Sequence, residues 1–256
     1  MSQIKVTYRN ILENSSVQVT TSTGGDVDST SYPLYRAYDR DIGKVFIGVA
    51  TTTQDVQIIV NQGASADNTY YAANRLIIPL GHNLDGSVVL LQYSSDGFSA
   101  DINSATSWTQ SGSGMIDKSF TSNTQRYWRL YIYTPSTPPS LSEMFLGQDY
   151  SFQRNPGLGS RVGKQTNIYR DETRSGKRRA VKFGELRNRL NYEIAIVEST
   201  QKEDFETWIS HTEGEKPFYL TDESGSVLFV EMMNDLEFTH KGRSLYSNSL
   251  DLLEVL

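Results

Sequence analysis

Short apolar runs separated by turn residues fill the first half of the chain. Val, Ile, Leu and Tyr gather at residues 4–8, 16–21, 45–49, 56–60, 76–79, 87–93 and 127–133, with turn clusters such as Thr23-Gly24-Gly25-Asp26 and Ser95-Asp96-Gly97 between them. Runs of this length, bounded in this way, read as strands. Their number and spacing predict a β-sandwich or jelly roll. Alternation is clearest in Trp128-Arg-Leu-Tyr-Ile-Tyr133. It predicts one face of Trp128, Leu130 and Ile132 turned to a core, and another of Arg129, Tyr131 and Tyr133 turned to water or to a cover. Residues 134–140 hold three of the seven prolines, too closely spaced for a central strand, and read as an extended loop. Leu141-Ser-Glu-Met-Phe-Leu-Gly147 then follows as one more strand of the same domain.

Beyond a boundary near residues 148–155 the pattern changes. Thr200-Gln-Lys-Glu203 has the form of a capping box, and Phe205, Trp208 and Ile209 follow at the spacing of one helical face. Gly214 and Pro217 end that helix. Apolar runs at 180–183, 189–197, 217–221, 226–233 and 245–252 flank it, with Glu223-Ser-Gly225 as a hairpin turn. Strands on both sides of a lone helix predict an α+β unit, a small barrel or sheet packed on the helix. The fold expected is mainly β: a jelly roll at 1–150, then a small split-barrel-like domain at 151–256 with its helix near 200–213.

The chain has 256 residues, 37% hydrophobic and 11% aromatic, which is enough to form packed cores. It lacks cysteine, which removes disulfides, thiolate metal sites and cysteine nucleophiles together. Its three histidines, at 82, 211 and 240, are too scattered for a metal-binding helix. Lys5, Arg9 and Glu13 break any signal-peptide core, and no apolar stretch approaches about 18 residues. A soluble protein made in the cytoplasm, with no membrane insertion, is the expectation.

The net charge of −6 offers no global field for nucleic acid, but it conceals a strong local split. Residues 154–189 carry 11 basic and 3 acidic side chains, whereas residues 190–256 carry 4 basic and 14 acidic ones.

Candidate chemistry is sparse. No P-loop, dinucleotide-binding turn or nucleophile elbow is present. Asn155-Pro-Gly-Leu-Gly-Ser160 reads as a flexible linker or, less simply, a phosphate cradle. His82 is a loop-holding residue or a general base backed by Asp85 or Asp96. The acidic pairs Asp39/Asp41, Asp26/Asp28 and Glu213/Glu215 fit solvated loops or an acid–base pair. Asp39-Arg40-Asp41 is open to a Ca²⁺ site, to a solvated loop, or to a salt bridge with Arg36. The basic run 170–189 is open to three partners: nucleic acid, solvent, or the acidic surface of a neighbouring subunit. Its Arg174, Lys177, Arg178 and Arg179 are the interface candidates. Without interleaved aromatics in that run, stacking on single-stranded bases has little support.

Taken in order, several motifs form a recognisable series. Asn10-Ile-Leu, Tyr32-Pro-Leu34, Gly81-His-Asn-Leu84, Tyr93-Ser-Ser-Asp-Gly97, Arg126-Tyr-Trp-Arg-Leu130 and Leu141-Ser-Glu-Met-Phe-Leu-Gly147 resemble the discoidin, galactose-binding-like jelly roll across the whole first domain. The two cysteines common in animal members are missing, and Phe46 stands where a Trp often follows the Asp-rich loop. Residues 73–84 also resemble versions of this domain found in bacteriophage tail proteins. Lys216-Pro-Phe-Tyr-Leu-Thr-Asp222 and the terminal Leu252-Leu-Glu-Val-Leu256 are similar to split-barrel modules of phage minor and distal tail proteins.

That resemblance implies a non-enzymatic virion subunit of the tail tip, assembled in the host cytoplasm as a ring, most simply a hexamer. Its partners would be tail tube, hub, tape-measure and receptor-binding proteins, with no cofactor needed. The alternative is a bacterial carbohydrate-binding module or adhesin. For a host-surface glycan, Tyr35, Tyr38, Asp39 and Trp108 are the candidate contacts, with the tyrosines and Trp108 expected on exposed loops.

Overall fold

The computed structural model describes residues 3–24, 28–48, 54–63, 70–133, 135, 137–157, 159–172 and 177–255. The chain divides into two compact units, Arg9–Asp149 and a second made of Met1–Tyr8 with Tyr150–Leu256. The expected division at residue 150 therefore omits a crossover. The run at 4–8 forms β1 (Lys5–Thr7), which belongs with the carboxy-terminal half of the chain. The cause is strand pairing. β1 is flanked on both sides by antiparallel partners, β12 (Tyr150–Ser151) and β15 (Phe218–Thr221). The Arg9–Asp149 unit is inserted between β1 and β12.

That inserted unit is a jelly-roll sandwich. Its strands are β2 (Ser16–Thr21), β3 (Phe46–Ile47), β4 (Val56–Asn61), β5 (Ala72–Ile78), β6 (Val88–Ser94), β7 (Asn103–Thr109), β8 (Ile116–Thr124), β9 (Tyr127–Ile132), β10 (Ser140–Leu141) and β11 (Phe145–Gly147). They form a five-stranded sheet β2-β4-β9-β6-β7, a three-stranded sheet β11-β5-β8, and the pair β10-β3. The alternation read in β9 holds: Trp128, Leu130 and Ile132 are fully buried while Tyr133 stays 42% exposed. They join Val56, Ile58, Leu76, Leu91 and Leu146 in one core. The run 141–147 returns as β10 and β11. β11 approaches the chain so closely that a Cβ on Gly147 would stand 2.2 Å from the Arg9 carbonyl oxygen.

The second unit is one open antiparallel sheet with a helix. Its further strands are β13 (Arg161–Glu172), β14 (Arg178–Glu198), β16 (Val227–Met232), β17 (Thr239–Gly242) and β18 (Leu245–Glu254). The order is β12-β1-β15-β16-β18-β14-β13, with β17 beside β18; among the described residues no pairing closes it into a barrel. Helix α1 (Ser199–Thr212) buries Phe205 and Trp208 against Ile4, Val6, Phe152 and Phe218. Trp208 meets Phe218 edge-on at 4.8 Å.

The capping box at Thr200 does not form. β14 runs straight into the helix, so the extended Glu198 occupies the cap without a side-chain hydrogen bond. At the other end Glu213, at φ 55°, takes the left-handed position one residue before Gly214.

The runs at 180–183 and 189–197 are one strand. β14 pairs with β18 only from Arg189 to Glu198. Towards Arg178 its partner among the described residues is β13, making a two-stranded arm about 35 Å long at ~3.3 Å per residue. A bulge at Gln165/Asn167 interrupts it, and Gly184 takes φ 76° on the opposing strand.

Candidate functional site

The loop from Asp28 to Gly48 carries most of the residues expected to contact a ligand. Asp28 Oδ1 accepts hydrogen bonds from the amides of Ser29 and Leu34, both at 2.8 Å. Pro33 then leads into a 3-10 turn, Leu34–Ala37, whose two end residues are buried and anchor it in the core. The intervening Tyr35 is left 53% exposed, with Tyr32 beside the turn at 44%. The Arg36 guanidinium lies 5.6 Å over the Tyr32 ring.

Tyr38 instead packs partly against the core. Burial, assisted by the charge of Asp28, pushes its hydroxyl above the usual range. It is a supporting residue rather than an exposed one.

Asp39 and Asp41 converge on Lys44, at 3.5 and 2.9 Å. The expected partner Arg36 is turned to Tyr32, so the ammonium of Lys44 supplies the countercharge. Its hydrogen bond holds the Asp41 carboxyl below the usual range. Asp41 also accepts from the Gly43 amide at 3.1 Å. Among the described residues no cluster of three or more His, Asp or Glu is placed to hold a metal.

Beneath this loop Arg40, at φ 59°, pairs with Glu13, and its amide donates to the buried Glu143 at 3.0 Å. The Asn10 side chain donates to the Met144 carbonyl at 2.9 Å. These contacts tie the tyrosine loop to the floor of the sandwich.

Trp108 is not part of the loop site. It lies in β7, partly buried on the core cluster, with Nε1 donating to Gln110 Oε1 at 3.2 Å. The tyrosine turn packs beside β2, at the opposite edge of the five-stranded sheet. Four strand spacings, about 19 Å, separate the two edges. Beside Tyr35 the loop instead carries Tyr32 and Lys44, which were not among the expected contacts. The Tyr32-Pro-Leu34 motif was the signal available for the first of them.

His82 is a loop-holding residue. Its Nδ1 accepts from the Leu84 amide at 3.3 Å, which leaves Nε2 to donate to the Gly114 carbonyl at 2.8 Å. Asn83 holds a second loop, donating to the Pro138 carbonyl at 2.7 Å and accepting from the Ser140 amide at 2.8 Å. The Asn155–Ser160 stretch is likewise tied down, since the Gly157 amide donates to the Glu193 carbonyl at 2.7 Å.

In the second unit the arm presents a charged surface. Arg178 meets Glu172 at 3.0 Å, with their side chains 85% and 55% exposed, while Lys177 and Arg179 are also exposed. Arg174 lies outside the described residues. Val162, Val181 and Leu186 are exposed on the same ribbon, at 71%, 47% and 48%. Where the ribbon joins the sheet, a groove of about 670 Å³ is lined by Arg161, Lys164 and Arg189. A second groove, of about 410 Å³, is lined by Glu193, Asp235 and Glu237. No helix among the described residues is long and apolar enough to cross a membrane.

No family model matches the chain, and no curated protein matches it in sequence. Solved structures do share part of its fold. Chitosan-binding module 1 of a chitosanase/glucanase from Paenibacillus sp. IK-5 is 19% identical, covering 55% of this chain and 99% of that one at a TM-score of 0.44. Module 2 of the same enzyme, solved with chitotriose, is 16% identical over 54% and 100% at 0.43. A carbohydrate-binding module from Clostridium perfringens, CpGH89CBM32-5, solved with GalNAc-β-1,3-galactose, is 14% identical over 55% and 100% at 0.42.

Proposed function

We propose that this is a non-catalytic binding and assembly protein whose jelly roll takes carbohydrate at the loop of Tyr32, Tyr35, Asp41 and Lys44. The supporting observation is the exposed Tyr35 ring on a turn anchored at both ends by buried Leu34 and Ala37. Sugar rings offer C–H faces to aromatic rings and hydroxyls to charged side chains. Exposed aromatics beside a few polar side chains suit both, and a turn held rigid before binding loses little entropy when the ligand arrives. On a glycan array and by calorimetry, the wild-type protein is expected to retain a neutral oligosaccharide. Tyr35→Ala should weaken it at least about tenfold, or about 1.4 kcal/mol. An array without any neutral ligand, or affinity untouched in Tyr35→Ala, removes this reading.

A second reading, a ring-forming subunit of a phage tail tip, is favoured by the arm. A ribbon of two strands is marginal alone in water. This one exposes apolar and basic side chains together, in the same unit as an acidic segment. One face of a subunit meeting a different face of the next is what closes a ring. On this reading the arm of one copy meets the acidic surface of its neighbour, in a virion whose tail tube, hub and receptor-binding proteins are the further partners. Light scattering at increasing concentration should give a closed oligomer that the double variant Arg178→Glu/Arg179→Glu dissociates. A monomer at every concentration excludes it.

A further inference from the structure

We propose that the outward face of the five-stranded sheet is a separate binding site, which takes the carboxylate of an acidic sugar on the guanidinium of Arg129. Arg129 lies on β9, the central strand of that sheet, directly between Ile59 of β4 and Gln92 of β6. Nε donates to Gln92 Oε1 at 2.7 Å and Nη1 to Gln57 Oε1 at 3.1 Å. Both acceptors are neutral amides. Nη2 has no partner and the guanidinium no carboxylate among the described residues. The group is half-buried, and burial draws its pKa below the ordinary guanidinium range. A cation removed from water without a countercharge is costly, and an arriving carboxylate would remove that cost.

Two aromatic rings flank the guanidinium. The Phe98 ring lies 4.2 Å from the guanidinium carbon and the Tyr131 ring 5.2 Å from it. Aromatic rings cover the flat faces of a guanidinium, whereas a carboxylate needs its edge, where parallel N–H groups match two oxygens.

Phe98 is held in place at a cost. Its φ of 68° is in the left-handed region, which a bulky side chain avoids. Two carboxylates enforce that conformation. Asp96 accepts from the Ser94 hydroxyl at 2.8 Å and the Ala100 amide at 2.8 Å, and Asp101 accepts from the Ser95 amide at 2.9 Å. Strain of this kind persists where surrounding structure over-determines it, and it gathers at ligand clamps.

Next to Arg129, Tyr131 donates its hydroxyl to Asp55 at 2.6 Å, so this carboxylate is engaged by the tyrosine. Tyr133, 42% exposed and 4.9 Å from the Tyr131 ring, offers a flat surface for the pyranose itself.

Calorimetry with oligogalacturonate against a neutral oligosaccharide of equal length tests the site. The acidic oligomer is expected to bind, more weakly as salt rises, and the neutral one to give no heat that depends on Arg129. Arg129→Gln should lower affinity for oligogalacturonate at least about tenfold. Tyr133→Ala should lower it less, and Tyr35→Ala should leave it unchanged, which separates this site from the tyrosine loop. If Arg129→Gln unfolds, the Arg129 Nε–H resonance of the wild-type protein should shift with oligogalacturonate and not with the neutral oligomer. Absence of binding, affinity unaltered in a folded Arg129→Gln, or a resonance that does not move overturns the proposal.

Discussion

Glu143 is fully buried in the jelly roll, where desolvation pushes its carboxyl well above the usual range despite the hydrogen bond from the Arg40 amide. An unfolded chain ionises this group near about 4.3, while the folded chain holds the proton to higher pH. Stability from the protonated group is therefore complete below the unfolded value and declines as pH rises above it. Glu143→Gln keeps an oxygen for the Arg40 amide and never ionises. It should melt higher than wild type at about pH 8 and at the same temperature near about pH 4; parallel curves at both would contradict the buried, protonated state. Nothing in Leu-Ser-Glu-Met-Phe reveals this burial, since alternation alone puts a charged residue on a wet face. Tyr35 was legible for the opposite reason: a tyrosine after Pro-Leu, outside any apolar run, has nowhere to bury.

At the scale of elements, the legible ones were those with one dry face. β9 announced itself by alternating across a core and a surface, and α1 by Phe205 and Trp208 on one stripe. Trp208→Ala removes a fully buried ring that touches Phe152, Phe205 and Phe218. It should cost about 3–5 kcal/mol, read as a loss of midpoint in chemical denaturation; a change within experimental scatter would mean the helix is not seated on that sheet. β7 and β8 were missed because Asn103–Thr109 and Ile116–Thr124 are mostly Ser, Thr and Asn, with little buried. Of the β13/β14 arm, residues 180–183 were visible as strand and the rest only as charge. A ribbon wet on both faces has no reason to alternate, and its strands are joined by the backbone ladder and by polar cross-strand pairs such as Arg178 with Glu172 rather than by a core.

For the whole molecule, composition signalled two units but could not show that one interrupts the other. The interruption is set by where β1 finds its partners, and Lys5-Val-Thr is too short to carry that information. It has a consequence for fragments. Residues 9–149 retain every strand of the jelly roll and should unfold cooperatively by themselves. Residues 150–256 lack β1, which leaves β12 without its partner and exposes an edge of β15, so that fragment should aggregate unless residues 1–8 are supplied as a peptide. A soluble, monomeric 150–256 with a sharp melting transition would disprove the account.

β1 also fixes an order of events during synthesis. Val6 pairs with Leu220, so the earlier strand leaves the ribosome more than 200 residues ahead of the later one. At about 5–20 residues per second that is a wait of roughly ten to forty seconds, time in which all ten strands of the insert have been made. The sandwich is thus free to close while β1 is still open on one side. The chain then holds a half-paired strand, with a folded body just behind it, until residue 221 arrives.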